Sequence, residues 1–104
     1  LRERRRDEGA AGVALDLATR DVRVNGRAIH LTPREFGLLK LLMEQRGRVL
    51  TQRHILQTVW GPEYADDGHI LRTFVHQLRG KLGESGSAIV TDPGVGYRLV
   101  ADES

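Results

Sequence analysis

The residues of this chain best suited to chemistry lie together between positions 68 and 83, in the stretch GHILRTFVHQLRGKLG. At about 100° of rotation per helical residue, His69, Arg72, Thr73, His76 and Gly80 fall on one arc, with Gln77 and Arg79 on its borders. Ile70, Leu71, Phe74, Val75, Leu78 and Leu82 fall on the opposite arc. The polar arc carries guanidinium, imidazole, amide and hydroxyl groups and no carboxylate, so it suits an anionic, acceptor-rich surface. A helix of this length spans roughly 24 Å, long enough to lie in a major groove about 12 Å wide. The plainer alternative is a solvated amphipathic helix whose outward side contacts nothing.

Other chemistries find little support. His69 and His76 share the polar arc but stand too far apart on one helix for a single metal ion, and no third ligand is spaced to help. His30 and His54 read as ordinary surface or satisfied residues. Gly94, Val95 and Gly96 superficially suggest a phosphate-binding glycine loop, but no helix follows them. Ser85, Ser87 and Ser104 have no histidine at motif spacing, so neither an enzyme nor a cofactor is expected. With 104 residues, no cysteine and no apolar run near a membrane span, the chain suits one small domain without disulfides or thiolate metal sites. The formal charge is only +2, yet it is unevenly spread. Arginines crowd positions 1–6, and Glu63, Asp66 and Asp67 gather just before the polar helix, which implies a polyanion-facing side and a separate acidic one.

The elements that must position this helix can be read in order. Residues 1–12 are charged and then small, and read as a frayed helix end running into a linker, or as a basic arm. In 13–31, Val13, Leu15 and Leu17 alternate with polar or small residues, as do Val22 and Val24, and Asn25-Gly26 asks for a two-residue type I′ turn. That turn sets Val22 opposite Ile29 in a small antiparallel sheet. Thr32, Pro33 and Glu35 form a capping box that starts a mostly apolar helix running to Gly47. Thr51 caps a shorter helix over 52–60, ended by Gly61-Pro62, and Asp66 or Asp67 caps the polar helix. Strands at 88–92 and 97–100 close a hairpin over the turn 93–96.

Sheet, three helices and a hairpin, with the third helix amphipathic and basic outward, is the order of an α+β winged helix-turn-helix. LTPREFGLLKLL (31–42), VWG (59–61), LRTFVHQLRGKL (71–82) and GVGYRL (94–99) resemble the effector domain of OmpR/PhoB-type response regulators. The likeness covers nearly all of 13–100. Within that family, WGPEY and the LR…LR…KL pattern are most similar to the potassium-responsive branch.

The resemblance implies sequence-specific binding of double-stranded DNA by the output domain of a two-component regulator of transcription. It implies base readout by Arg72, Thr73, His76 and Gln77, and phosphate contacts from Arg53, Trp60, His69 and Arg79. It implies a wing formed by Pro93, Gly94, Val95, Gly96 and Arg98 along a neighbouring minor groove. Glu63, Tyr64, Asp66 and Asp67 would face RNA polymerase. The sequence departs from some relatives at Pro93, where several have a wing arginine, at His69 and at Gly80. The expected layout is an interdomain linker over 1–12, following a receiver domain absent from this chain, and a winged-helix domain over 13–101. Leu1 in first place fits a piece of a longer cytoplasmic, nucleoid-associated protein. The piece is expected to be monomeric and the phosphorylated whole to dimerise on tandem direct repeats, without membrane contact. A protein-interaction module that binds an acidic partner is the alternative.

Overall fold

The computed structural model describes residues 7–100, of which 7–10 are described by their backbone alone. Strands β1 (Asp7–Ala10), β2 (Val13–Asp16), β3 (Asp21–Val24) and β4 (Arg27–Ile29) form an antiparallel sheet in that order. Helix α1 (Pro33–Glu44) follows, then β5 (Leu50–Thr51), α2 (Gln52–Val59), α3 (Gly68–Leu82), β6 (Ile89–Asp92) and β7 (Gly96–Leu99). Short 3-10 segments at Pro62–Tyr64 and Gly83–Ala88 flank α3, and the second sheet has the order β5-β7-β6. This is the winged helix-turn-helix architecture.

Local signals explain most of the elements. Asn25 and Gly26 both take positive φ, 51° and 86°, as a type I′ turn requires, and Val22 stands opposite Ile29. Thr32 caps α1, its hydroxyl accepting from the Glu35 N–H while the Glu35 carboxylate accepts from the Thr32 N–H at 2.9 Å. Thr51 caps α2 through the His54 N–H at 3.1 Å.

Three expectations need correction. The linker reading of 1–12 holds no strand, yet Asp7–Ala10 pairs with β2 from Asp7↔Asp16 to Ala10↔Val13. An edge strand is held by backbone hydrogen bonds and tolerates charged residues of low strand propensity, so apolar alternation could not reveal it. Residues 1–6, and with them the basic arm, lie outside the described residues. Helix α1 stops at Glu44 rather than Gly47, because the Gly47 N–H is bonded to the Leu99 carbonyl at 2.8 Å. The final hairpin is a three-stranded sheet, since β5 pairs with β7 through Leu50↔Tyr97 and Thr51↔Gly96.

The core lies where α1 meets both sheets and α3. Val13, Leu15 and Val22 reach it from the first sheet, and Leu38, Leu39, Leu42 and Met43 from α1. Leu71, Val75, Leu78 and Leu82 come from α3, and Ile89, Tyr97 and Leu99 from the second sheet. One polar group sits among them. Glu35, 2% exposed, joins the α1 cap to the last turn of α3 through Lys81 Nζ at 2.7 Å. Burial pushes its pKa up, but the Lys81 hydrogen bond, the Thr32 N–H and the lysine charge together hold it below the ordinary 4.5.

Stability from a depressed carboxylate pKa is present above the unfolded value and lost as pH falls through the folded one. Unfolding by urea should therefore show wild-type stability declining below about pH 4.5, with that Glu35 component absent in Glu35→Gln. At pH 7, Lys81→Ala should cost about 1–3 kcal/mol, because the buried carboxylate loses its cationic donor. A Glu35→Gln protein with the same acid profile as wild type would remove the linkage.

Candidate nucleic-acid interface

Helix α3 starts at Asp67, whose side chain accepts from the Ile70 N–H at 3.3 Å. From there its two arcs separate as the sequence requires. Leu71, Val75, Leu78 and Leu82 are buried, and Ile70 and Phe74 pack against the core. His69, Arg72, Thr73, His76, Gln77 and Gly80 are all exposed. The two carboxylates nearest the start of the helix are engaged. Asp67 is the cap, and Asp66 holds Arg53 at 2.8 Å. Arg72 has no ion pair or side-chain hydrogen bond among the described residues. Thr73 donates its hydroxyl to the His69 carbonyl at 3.1 Å, which leaves its methyl and an oxygen lone pair to face outward.

The hairpin runs beside this helix. At its base, Arg79 donates from Nε and Nη2 to the Ile89 carbonyl at 3.1 and 2.7 Å, and from Nη2 to Thr91 Oγ1 at 2.9 Å. At its far end the Val95 carbonyl accepts from the Gln52 N–H at 3.2 Å, and the Gln52 side chain lies against Gly68. The hairpin tip therefore stands near the first turn of α3. Its turn is closed by the Val95 N–H on the Asp92 carbonyl at 3.0 Å, with Pro93 second and Gly94 third at φ 77°, a type II turn. A Cβ on Gly96 would fall on the Leu50 carbonyl oxygen, so only glycine lets β5 and β7 close there.

The wing tip is apolar. Pro93 and Gly94 are exposed and Val95 is 48% exposed. Arg98 is half-buried, with Nε 3.5 Å from Asp92 Oδ2. That oxygen is buried and has no hydrogen-bond partner among the described residues, so the contact is one of charge and not of hydrogen-bond geometry.

Other positions expected at the interface have different settings. Arg53 is exposed on α2 but shares its charge with Asp66. The Trp60 ring is buried, edge-on to Phe74 with centroids 5.0 Å apart, and the exposed Arg34 guanidinium lies over it at 5.6 Å. The ring of Trp60, a residue expected at a phosphate, is thus part of the core. Arg34 was not anticipated, and only its place in the first turn of α1 hinted at exposure. The guanidinium of Arg79, a residue expected at a phosphate, lies against β6. In the acidic loop, Glu63, Asp66 and Asp67 are exposed, whereas Tyr64 is half-buried against the core. Among the described residues no side chains gather to hold a metal ion, and no helix is long and apolar enough to cross a membrane.

Comparison with known proteins agrees with this geometry. Residues 26–99 match the family described as "Transcriptional regulatory protein, C terminal". The chain is 41% identical over 90 residues to the transcriptional regulatory protein KdpE of Mycobacterium tuberculosis, an alignment covering 84% of this chain and 40% of that protein. It is likewise 41% identical over 91 residues to the KDP operon transcriptional regulatory protein KdpE of Escherichia coli K12, covering 85% and 40%. It thus spans about 40% of the length of these relatives. The crystal structure of the DNA-binding domain of CpxR from E. coli superposes with a TM-score of 0.81 at 28% identity, covering 91% of this chain and 96% of that one. A buried α1, an α3 bare on one side and a hairpin packed alongside thus coincide with the sequence match, and the chain belongs to the family of C-terminal, winged-helix domains of OmpR/PhoB-type transcriptional regulatory proteins.

Proposed function

We propose that this domain binds double-stranded DNA sequence-specifically, as the output domain of a two-component response regulator that controls transcription. The observation that carries the reading is the outward face of α3, on which every position is exposed, no acid occurs and Arg72 is unpaired among the described residues. In this arrangement α3 lies in the major groove. Arg72 pairs bidentately with a guanine, Thr73, His76 and Gln77 meet neighbouring base edges, and Arg53 and His69 meet phosphates. Trp60, with its ring buried, supports that surface from beneath. Pro93, Gly94 and Val95 follow the adjacent minor groove, with Gly96 and Arg98 behind them. The exposed acids Glu63, Asp66 and Asp67 give the domain a second face suited to a basic protein surface, for which RNA polymerase is the natural partner.

The whole protein, by this reading, carries a receiver domain ahead of β1, dimerises on phosphorylation and occupies tandem direct repeats. Two relatives named for the KDP operon or KdpE support control of potassium-transport genes.

Selection of binding sites from random duplexes, followed by fluorescence anisotropy, tests the central claim. Affinity for the selected site should fall steeply with salt, because cationic side chains displace counterions. Arg72→Ala should cost about 1–3 kcal/mol on that site and relax preference at one base position. Retention of random and selected duplexes alike would favour a protein-interaction module.

The Arg53–Asp66 pair gives a second expectation. It is an exposed pair, worth about 0.2–1 kcal/mol, and a phosphate must compete with Asp66 for the guanidinium. Asp66→Asn should tighten DNA binding about two- to five-fold, and the gain should shrink in an Arg53→Ala background. An undiminished gain there would mean that Asp66 acts through its charge alone.

A further inference from the structure

We infer that Arg79 is a positioning residue that sets the wing against α3, and not a contact to DNA phosphate. The inference rests on the reading above, in which α3 and the wing meet one duplex together.

Among the described residues β6 is an edge strand, paired only with β7. The Val100 N–H bonds the Ala88 carbonyl at 2.9 Å, so the next residue, Ile89, turns its own carbonyl away from β7, toward the open edge. That carbonyl is an acceptor the sheet cannot satisfy. Arg79 Nε and Nη2 both converge on it, and Nη2 also reaches Thr91 Oγ1, two residues farther toward the tip. The guanidinium carbon lies 6.0 Å from the centre of the Tyr97 ring on the neighbouring strand. The Arg79 backbone is fixed as well, because a Cβ on the buried Gly86 would overlap its carbonyl oxygen and Cα. Main chain and side chain of one residue therefore join α3 to the segment that follows it and to the base of the wing.

Geometry makes the joint consequential. At about 3.3 Å per strand residue, Pro93 stands roughly 13 Å from the Ile89 anchor. A tilt of about 10° there would displace the tip by about 2 Å, more than the spread of a hydrogen-bond distance and enough to part the Val95 carbonyl from the Gln52 N–H. A lysine keeps the charge but has no planar fork to bond a carbonyl twice and a hydroxyl once. Arg72, seven residues earlier, is the contrast: it is fully outward and has no such partners.

The experiment compares wild type, Arg79→Lys, Arg79→Ala and Thr91→Val on two duplexes. One carries the selected site with its flanks; the other is cut short on the side where footprinting shows the wing. On the long duplex both Arg79 variants should lose about tenfold in affinity, with the salt slope unchanged, and Thr91→Val should lose less. On the short duplex all four should bind alike. Without DNA, amide hydrogen exchange in β6 and β7 should quicken in Arg79→Lys while α3 remains protected. The inference is overturned if Arg79→Lys binds as wild type while Arg79→Ala lowers the salt slope by about one, the mark of a phosphate contact. Equal losses on both duplexes also overturn it, since they report general destabilisation. Should Arg72→Ala bind the selected site as wild type does, the groove reading fails instead, and unchanged β6 and β7 exchange in Arg79→Lys would then sink the clamp on its own.

Discussion

The outward face of α3 depends on how completely its inward face is buried. Leu71, Val75, Leu78 and Leu82 are at most 2% exposed. Burial of such side chains is worth about 1.5–3 kcal/mol each, which fixes the rotation of the helix about its own axis. With that rotation fixed, the polar arc has no choice but solvent. A turn of even one residue would bring Arg72 or Thr73 toward the core and expose a leucine or valine, a double cost in desolvated polar groups and bare apolar surface.

Charge is arranged by the same economy of positions. Asp67 serves as the α3 cap, Asp66 pairs with Arg53, and Glu35 is buried on Lys81. Each of these three carboxylates thus has local work, and none belongs to the arc that carries Arg72, His76 and Gln77. The Glu35–Lys81 contact also ties the start of α1 to the end of α3, so the two helices share one electrostatic tether.

Much of this was legible in the sequence because the signals were local. Asn25-Gly26, the Thr32–Glu35 box, the Thr51 cap and the two arcs of α3 each need only a few consecutive residues to specify them. What escaped was decided by distant partners. β1 is held by backbone bonds that leave no apolar pattern, and β5 is a two-residue strand visible only once β7 is beside it. Arg72 and Arg79 are the same residue type on the same helix, and their different fates follow from Ile89 and Thr91, ten and twelve positions beyond Arg79. The partner of Trp60 was equally out of reach, since Phe74, edge-on to its ring, belongs to another helix.

The seam at Gly96 has a mechanical meaning. With no side chain between them, β7 and the Leu50–Thr51 backbone lie in direct contact, and the Gln52 N–H grips the turn from the other side. The hairpin is thereby welded to the helix pair at its tip as well as its root, like the fixed jaw of a caliper. Such a jaw does not adapt to what it measures. On the proposed reading, any mismatch between its span and the distance from one groove to the next falls on the duplex, whose willingness to flex depends on its own base steps. Rigidity in the protein would then become a second form of sequence preference, exercised at base pairs that no side chain touches.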